Sequence, residues 1–148
     1  MPENNVIRRI EITPDGKYLF IGFYDSHIEQ WDIEYNKIIK NYGKQHDRSL
    51  ICMQISNDGK QLFTGARDGL IKHFSISKRK LVQTYHENAT SWVMSLVADH
   101  QSKYFYASSN SKVLKKYNIK RKKLSYEFFT FRTGGWINKM TITKDDAY

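Results

Sequence analysis

Only one cysteine, Cys52, stands among the 148 residues, so no internal disulfide can form and no multi-thiolate metal centre can be built within one chain. Long hydrophobic runs are also missing. The longest, Tyr18 to Tyr24, is seven residues interrupted by Gly22, against the roughly 20 that a membrane-spanning helix requires. The opening MPENNVIRRIEI places Glu3, Asn4 and Asn5 ahead of any apolar stretch and lacks the greasy segment of a secretory signal, which predicts an intracellular setting, cytoplasmic or nuclear. Acidic side chains are scarce, 15 against 24 Lys and Arg, leaving a net charge of +9. HExxH, GxxxxGK and GxSxG are all absent. The chain is 40% hydrophobic and 14% aromatic, enough for one folded unit with a buried core.

What the chain does have is a period. Asp15-Gly16-Lys17 returns 43 residues later as Asp58-Gly59-Lys60, and the same step reaches Gln101-Ser102-Lys103. Trp31-Asp32-Ile33 steps to Phe74-Ser75-Ile76 and then to Tyr117-Asn118-Ile119. Ile7, Leu50 and Val93 keep the register, and Ile137 continues it with one extra residue. Three copies, at about 6–48, 49–91 and 92–135, are followed by the start of a fourth at 136–148. Apolar residues alternate within each copy rather than recurring at helical spacing, and Pro14-Asp15-Gly16, Asn57-Asp58-Gly59 and Arg67-Asp68-Gly69 supply turn chemistry. Each copy therefore reads as four short strands, in the first about Val6 to Ile12, Tyr18 to Gly22, Ile28 to Ile33 and Lys37 to Tyr42.

Four antiparallel strands in about 40 to 45 residues, with an aromatic and then Asp or Asn closing the third, resemble the WD40 repeats of β-propellers. Trp31-Asp32 is the unaltered pair; Phe74-Ser75 and Tyr117-Asn118 are degenerate. The resemblance implies an all-β fold of three blades and part of a fourth. It also implies a hydrogen-bonded network of a His, a second-strand Ser or Thr, a turn Asp and the Trp. The second copy supplies His46, Thr64 and Asp68, but Phe74 has no N–H with which to close the network. In the third copy Asn110 stands for the turn Asp, and His86 lies too far from Val93 for a clear equivalence. Propellers have about 4 to 8 blades, so these repeats do not close a ring; a piece of a longer propeller, or a chain that joins other copies or a larger complex, is expected.

The five His fall at different phases of the repeat, in different strands and turns, so turn hydrogen bonds or solvent exposure are expected of them rather than a shared metal or base. No cofactor is implied, and an enzyme is not expected. Charge is more informative. The three copies carry net charges of zero, +3 and +7. Lys78-Arg79-Lys80 and Lys120-Arg121-Lys122-Lys123 occupy the same turn, between third and fourth strands, and neighbouring blades place them side by side with Lys60 and Lys103. Such a ridge attracts an acidic protein segment, nucleic acid or an anionic lipid surface, or it is simply solvated; no nucleic-acid motif accompanies it. On the opposite rim Trp92 and Trp136 precede equivalent first strands, preceded in the second case by Arg132, Gly134 and Gly135. They read as aromatic anchors for a protein partner, or as packing between blades. The expected function is a non-enzymatic protein-interaction scaffold; the alternative is a propeller that takes RNA or phosphoinositide on its basic turns.

Overall fold

Alternating apolar side chains give each repeat two faces, and burying both requires a neighbour on either side. The computed structural model describes residues 6–87, 90–129 and 136–143. The first sheet contains β1 (Ile7–Ile12), β2 (Tyr18–Phe23), β3 (His27–Asp32) and β4 (Lys37–Lys44). The second contains β5 (Leu50–Ile55), β6 (Gln61–Ala66), β7 (Leu70–Ser75) and β8 (Lys80–His86). The third contains β9 (Val93–Ala98), β10 (Tyr104–Ser109), β11 (Val113–Asn118) and β12 (Lys123–Phe129). Each is an antiparallel meander in chain order. No helix occurs among the described residues, and none is therefore long and apolar enough to cross a membrane.

The backbone itself carries the 43-residue period. Left-handed φ recurs at Gly16, Gly59 and Ser102 in the first turn, at Ser26, Gly69 and Lys112 in the second, and at Asn36, Arg79 and Lys122 in the third. Asp15 holds the first of these turns by accepting from the Thr13 hydroxyl at 2.6 Å and the Lys17 amide at 3.1 Å. Asp58 repeats both contacts with Ser56 and Lys60 at the same distances. These short Asx-type bonds fix where each strand reverses.

Adjacent residues of a strand point to opposite faces, and β6 shows the consequence. Leu62 joins Phe20, Ile28, Leu50 and Phe74 between the first and second sheets. Phe63, its neighbour, joins Cys52, Ile71, Val93 and Phe105 between the second and third. Phe63 stacks on Phe105 at 4.4 Å, and Phe105 on Tyr117 at 4.8 Å. The only cysteine is part of this second layer, where burial pushes its thiol up to about 12. A buried ion pair adds to it: Lys115 meets Glu87 at 3.0 Å, and the Tyr117 hydroxyl donates to Glu87 at 2.6 Å.

Residues one repeat apart also bond directly. Asn57 Nδ2 donates to His100 Nδ1 at 2.8 Å, and His100 Nε2 donates to the Thr143 carbonyl at 2.8 Å. Residues 136–143 thus lie along the far face of the third sheet, without strand pairing; the Met140 amide donates to Ser95 Oγ and Ser108 Oγ to the Ile137 carbonyl. Of the fourth copy begun at 136–148, Lys144 to Tyr148 lie outside the described residues. On the other flank, Ile10 and Ile12 pair with Ile21 and Leu19 and remain exposed. Leu19 and Trp31 are one repeat before Leu62 and Phe74, so the equivalent face of the second sheet is the one it buries against the first.

Two glycines set how closely the sheets approach. A Cβ on Gly22 would strike the Leu50 and Met53 side chains; one on Gly65, its equivalent, would strike Val93 and come within 2.8 Å of Cys52 Sγ. Gly65→Ala is expected to lower the unfolding free energy by about 1 to 3 kcal/mol, the usual cost of overpacking. Urea denaturation measures it, and a change within error would contradict the close approach.

Candidate functional site

The turns between third and fourth strands of the second and third sheets come together as their spacing predicts. Lys60, Lys78, Lys80, Lys120 and Lys122 line a groove of about 630 Å³ between these sheets, with Asp58 as the lone carboxylate. Asp58 is already engaged by Ser56 and the Lys60 amide, and the Ser102 hydroxyl accepts the Asp58 amide at 2.9 Å, tying the two sheets' turns together. Arg79 is exposed on the turn beside the groove. Arg121 lies with Lys120 and Lys103 along an adjoining groove of about 770 Å³, and Lys123 is exposed next to it at the start of β12.

The groove also contains a residue that sequence reasoning misplaced. His73, expected in a turn or in solvent, is on β7 and only 2% exposed. Its ring packs on Phe63 at 4.6 Å, Nε2 donates to Gln61 Oε1, and Nδ1 has no partner among the described residues. Burial, aided by the Lys122 ammonium, lowers its pKa from 6.5 to about 4. Alternation puts residue 73 on the face opposite Phe74, and only the third sheet makes that face interior. A partial signal was present: alternation puts His73 on the same face of its strand as the apolar Ile71, two positions before it.

His46, Thr64 and Asp68 meet as the resemblance implies. His46 Nδ1 donates to Asp68 at 3.0 Å, and the Thr64 hydroxyl donates to His46 Nε2 at 2.8 Å. Burial would raise the Asp68 pKa, but the hydrogen bond from His46 and those from the Leu70 and Asp47 amides together hold it below the ordinary carboxylate range. The network ties the chain before β5 to the turn after β6. Phe74, lacking a donor, packs edge-on to Tyr42 at 5.4 Å instead. Trp31 donates to Glu29 on its own strand at 2.9 Å, and Asp32 accepts the Tyr35 amide at 3.0 Å. Ile21 takes the place that Thr64 has in the second sheet, so Trp31 has no hydroxyl there to reach.

On the opposite rim the two tryptophans touch. Trp92 and Trp136 are edge to face, 5.8 Å between ring centroids, and Arg67 lies over the Trp92 ring at 4.6 Å. Trp92 is half-buried against the layer between the second and third sheets, its amide held by Asn110 Oδ1 at 2.7 Å, while Trp136 is 54% exposed. One ring therefore packs and the other is presented. Arg67 was legible only as part of a turn; its role as a third member of this cluster depends on the third sheet standing beside it. Arg132, Gly134 and Gly135 lie outside the described residues. Among the described residues no group of three or more His, Cys, Asp or Glu is placed to hold a metal ion.

The buried His73 has a pH signature. The folded state disfavours its protonation, so the unfolded chain binds the proton first; stability is full above pH 6.5 and falls between 6.5 and about 4. Compared with His73→Gln, the wild-type protein is expected to lose up to about 3 kcal/mol across that window. Urea titrations of both proteins at several pH values check it; parallel pH profiles would contradict it.

Comparison with known proteins agrees with this geometry. The model of the family described as "WD domain, G-beta repeat" matches residues 37–75, from the start of β4 through the end of β7. No curated protein matches the chain. The crystal structure of RRP9 WD40 repeats superposes with a TM-score of 0.81 at 22% identity, covering 88% of this chain and 40% of that one. The structure of U3-55K gives 0.80 at 23% identity, covering 88% and 41%. The chain thus spans about two fifths of the length of these structures. One stretch of the chain, residues 37–75, matches the WD repeat, and its three sheets have the fold of blades of a WD40-type β-propeller.

Proposed function

We propose that the chain is a non-enzymatic protein-interaction scaffold that takes its partner on the rim formed by Arg67, Trp92 and Trp136. WD40-repeat proteins generally act as interaction scaffolds and are generally not enzymes, which supports the class; the rim supports the site. The observation that carries it is the exposed Trp136 ring braced edge-on by a half-buried Trp92. A rigid aromatic already held in place loses little entropy on binding, and Trp and Arg are the residues most enriched in binding hot spots. Lys78, Arg79, Lys80 and Lys120 to Lys123 add long-range attraction for an acidic partner, drawn from within the cell. The reading in which RNA or a phosphoinositide occupies the basic turns has one observation in its favour, the lysine-lined groove.

The two readings respond differently to the same measurement. For a peptide selected against this protein from a displayed library, Trp136→Ala is expected to weaken binding by about 2 kcal/mol or more, with a shallow salt dependence. Trp136 is chosen because Trp92 also packs against the core. Binding that survives Trp136→Ala, falls steeply with salt and vanishes on charge reversal at Lys120 to Lys123 would replace the scaffold reading with the polyanion one.

A further inference from the structure

From the groove between the second and third sheets we infer a binding site for a compact, non-aromatic ligand carrying several phosphate groups. It is independent of the tryptophan rim, which lies on the opposite side. Five lysines line it against one carboxylate, and among the described residues none of the five has an ion-pair partner. Holding uncompensated like charges together costs free energy that a multiply charged anion removes.

The excess of basic over acidic side chains is larger in this cleft than in its counterpart one repeat earlier. One repeat earlier, the positions of Lys60, Lys78, Lys80, Lys120 and Lys122 are Lys17, Tyr35, Lys37, Ser77 and Arg79, with Glu34 beside them. The cleft between the first and second sheets thus keeps three of the five basic positions and has two carboxylates, Asp15 and Glu34, where the groove has Asp58 alone.

Shape and lining narrow the ligand. A volume of about 630 Å³ falls within the range of roughly 300 to 1,000 Å³ typical of small-molecule sites. Lysines act as point charges toward phosphate, and the hydroxyls of Ser75, Ser77 and Ser102 in the same lining provide further donors. No Phe, Tyr or Trp lines the groove and the His73 ring in its lining is buried against Phe63, so it offers no open stacking platform for bases, which disfavours single-stranded RNA as its occupant. A phosphorylated polyol fits, either free or as the headgroup of a lipid.

Calorimetric titration with inositol hexakisphosphate tests the site directly. Saturable one-to-one binding is expected, weakened roughly 100-fold in Lys80→Glu/Lys120→Glu/Lys122→Glu and roughly 10-fold in Lys120→Gln/Lys122→Gln, which leaves less risk to folding. Lys17→Glu/Lys40→Glu/Lys44→Glu, which removes the same charge from the first sheet, is expected to bind nearly as the wild type. Phosphatidylcholine vesicles with and without phosphatidylinositol bisphosphate distinguish the sources: the same pattern of loss on vesicles alone assigns the groove to a lipid headgroup. Absence of binding to both probes, equal loss in the two triple variants, or displacement by a mixed-sequence RNA oligonucleotide at lower concentration than by inositol hexakisphosphate would overturn the assignment.

Discussion

Face-to-face burial of one sheet on the next is the constraint on which the structure depends. A four-stranded meander of this size has too little interior of its own; its apolar residues alternate to both faces and need a neighbour on each. The second sheet has both neighbours. Its central residues Leu62 and Phe63, adjacent in the chain, therefore belong to two different apolar layers. Gly22 and Gly65 permit the approach by leaving room for Leu50 and Val93, residues one repeat apart. At the third repetition Ser108 stands where Gly22 and Gly65 do, and its hydroxyl binds the Ile137 backbone instead of yielding space.

Stacking also explains where surfaces arise. Equivalent turns of adjacent sheets are brought side by side, so any residue type favoured at one turn position is concentrated along an edge. Basic residues at the turn between third and fourth strands become a groove; tryptophans ahead of the first strands become a pair in contact. Neither cluster exists within a single repeat, and both are products of the repeat spacing acting on sequence variation between copies. This is the physical sense in which a propeller separates scaffold from function: alternation and turn glycines maintain the blades, while the positions between them remain open to change.

The legible part of the fold was that governed by local chemistry. Asp15 and Asp58 announced their turns because a carboxylate two residues before an amide closes an Asx turn in any context. Alternation announced the strands, although Lys44 and Phe23 extend two of them slightly beyond the expected ends. The meeting of His46, Thr64 and Asp68 was legible only through resemblance. What the sequence concealed depends on which neighbour covers a face. His73 is buried because the third sheet closes over it, and Arg67 reaches Trp92 because the two sheets abut. Glu87 and Lys115, 28 residues apart, form a buried ion pair that no local pattern marks. Trp31 kept the family's residue but lost its hydroxyl partner to Ile21, so identity at one position did not carry the network with it.

The central claim, that each sheet owes its stability to the faces covering it, is tested most directly by amide hydrogen exchange resolved by strand. The second sheet, covered on both faces, is expected to hold the slowest amides, in β5 and β6, exchanging only with global unfolding. β1, whose Ile10 and Ile12 face outward, is expected to exchange well before them. Equal protection of all three sheets, or slower exchange in β1 than in β5, would contradict the account.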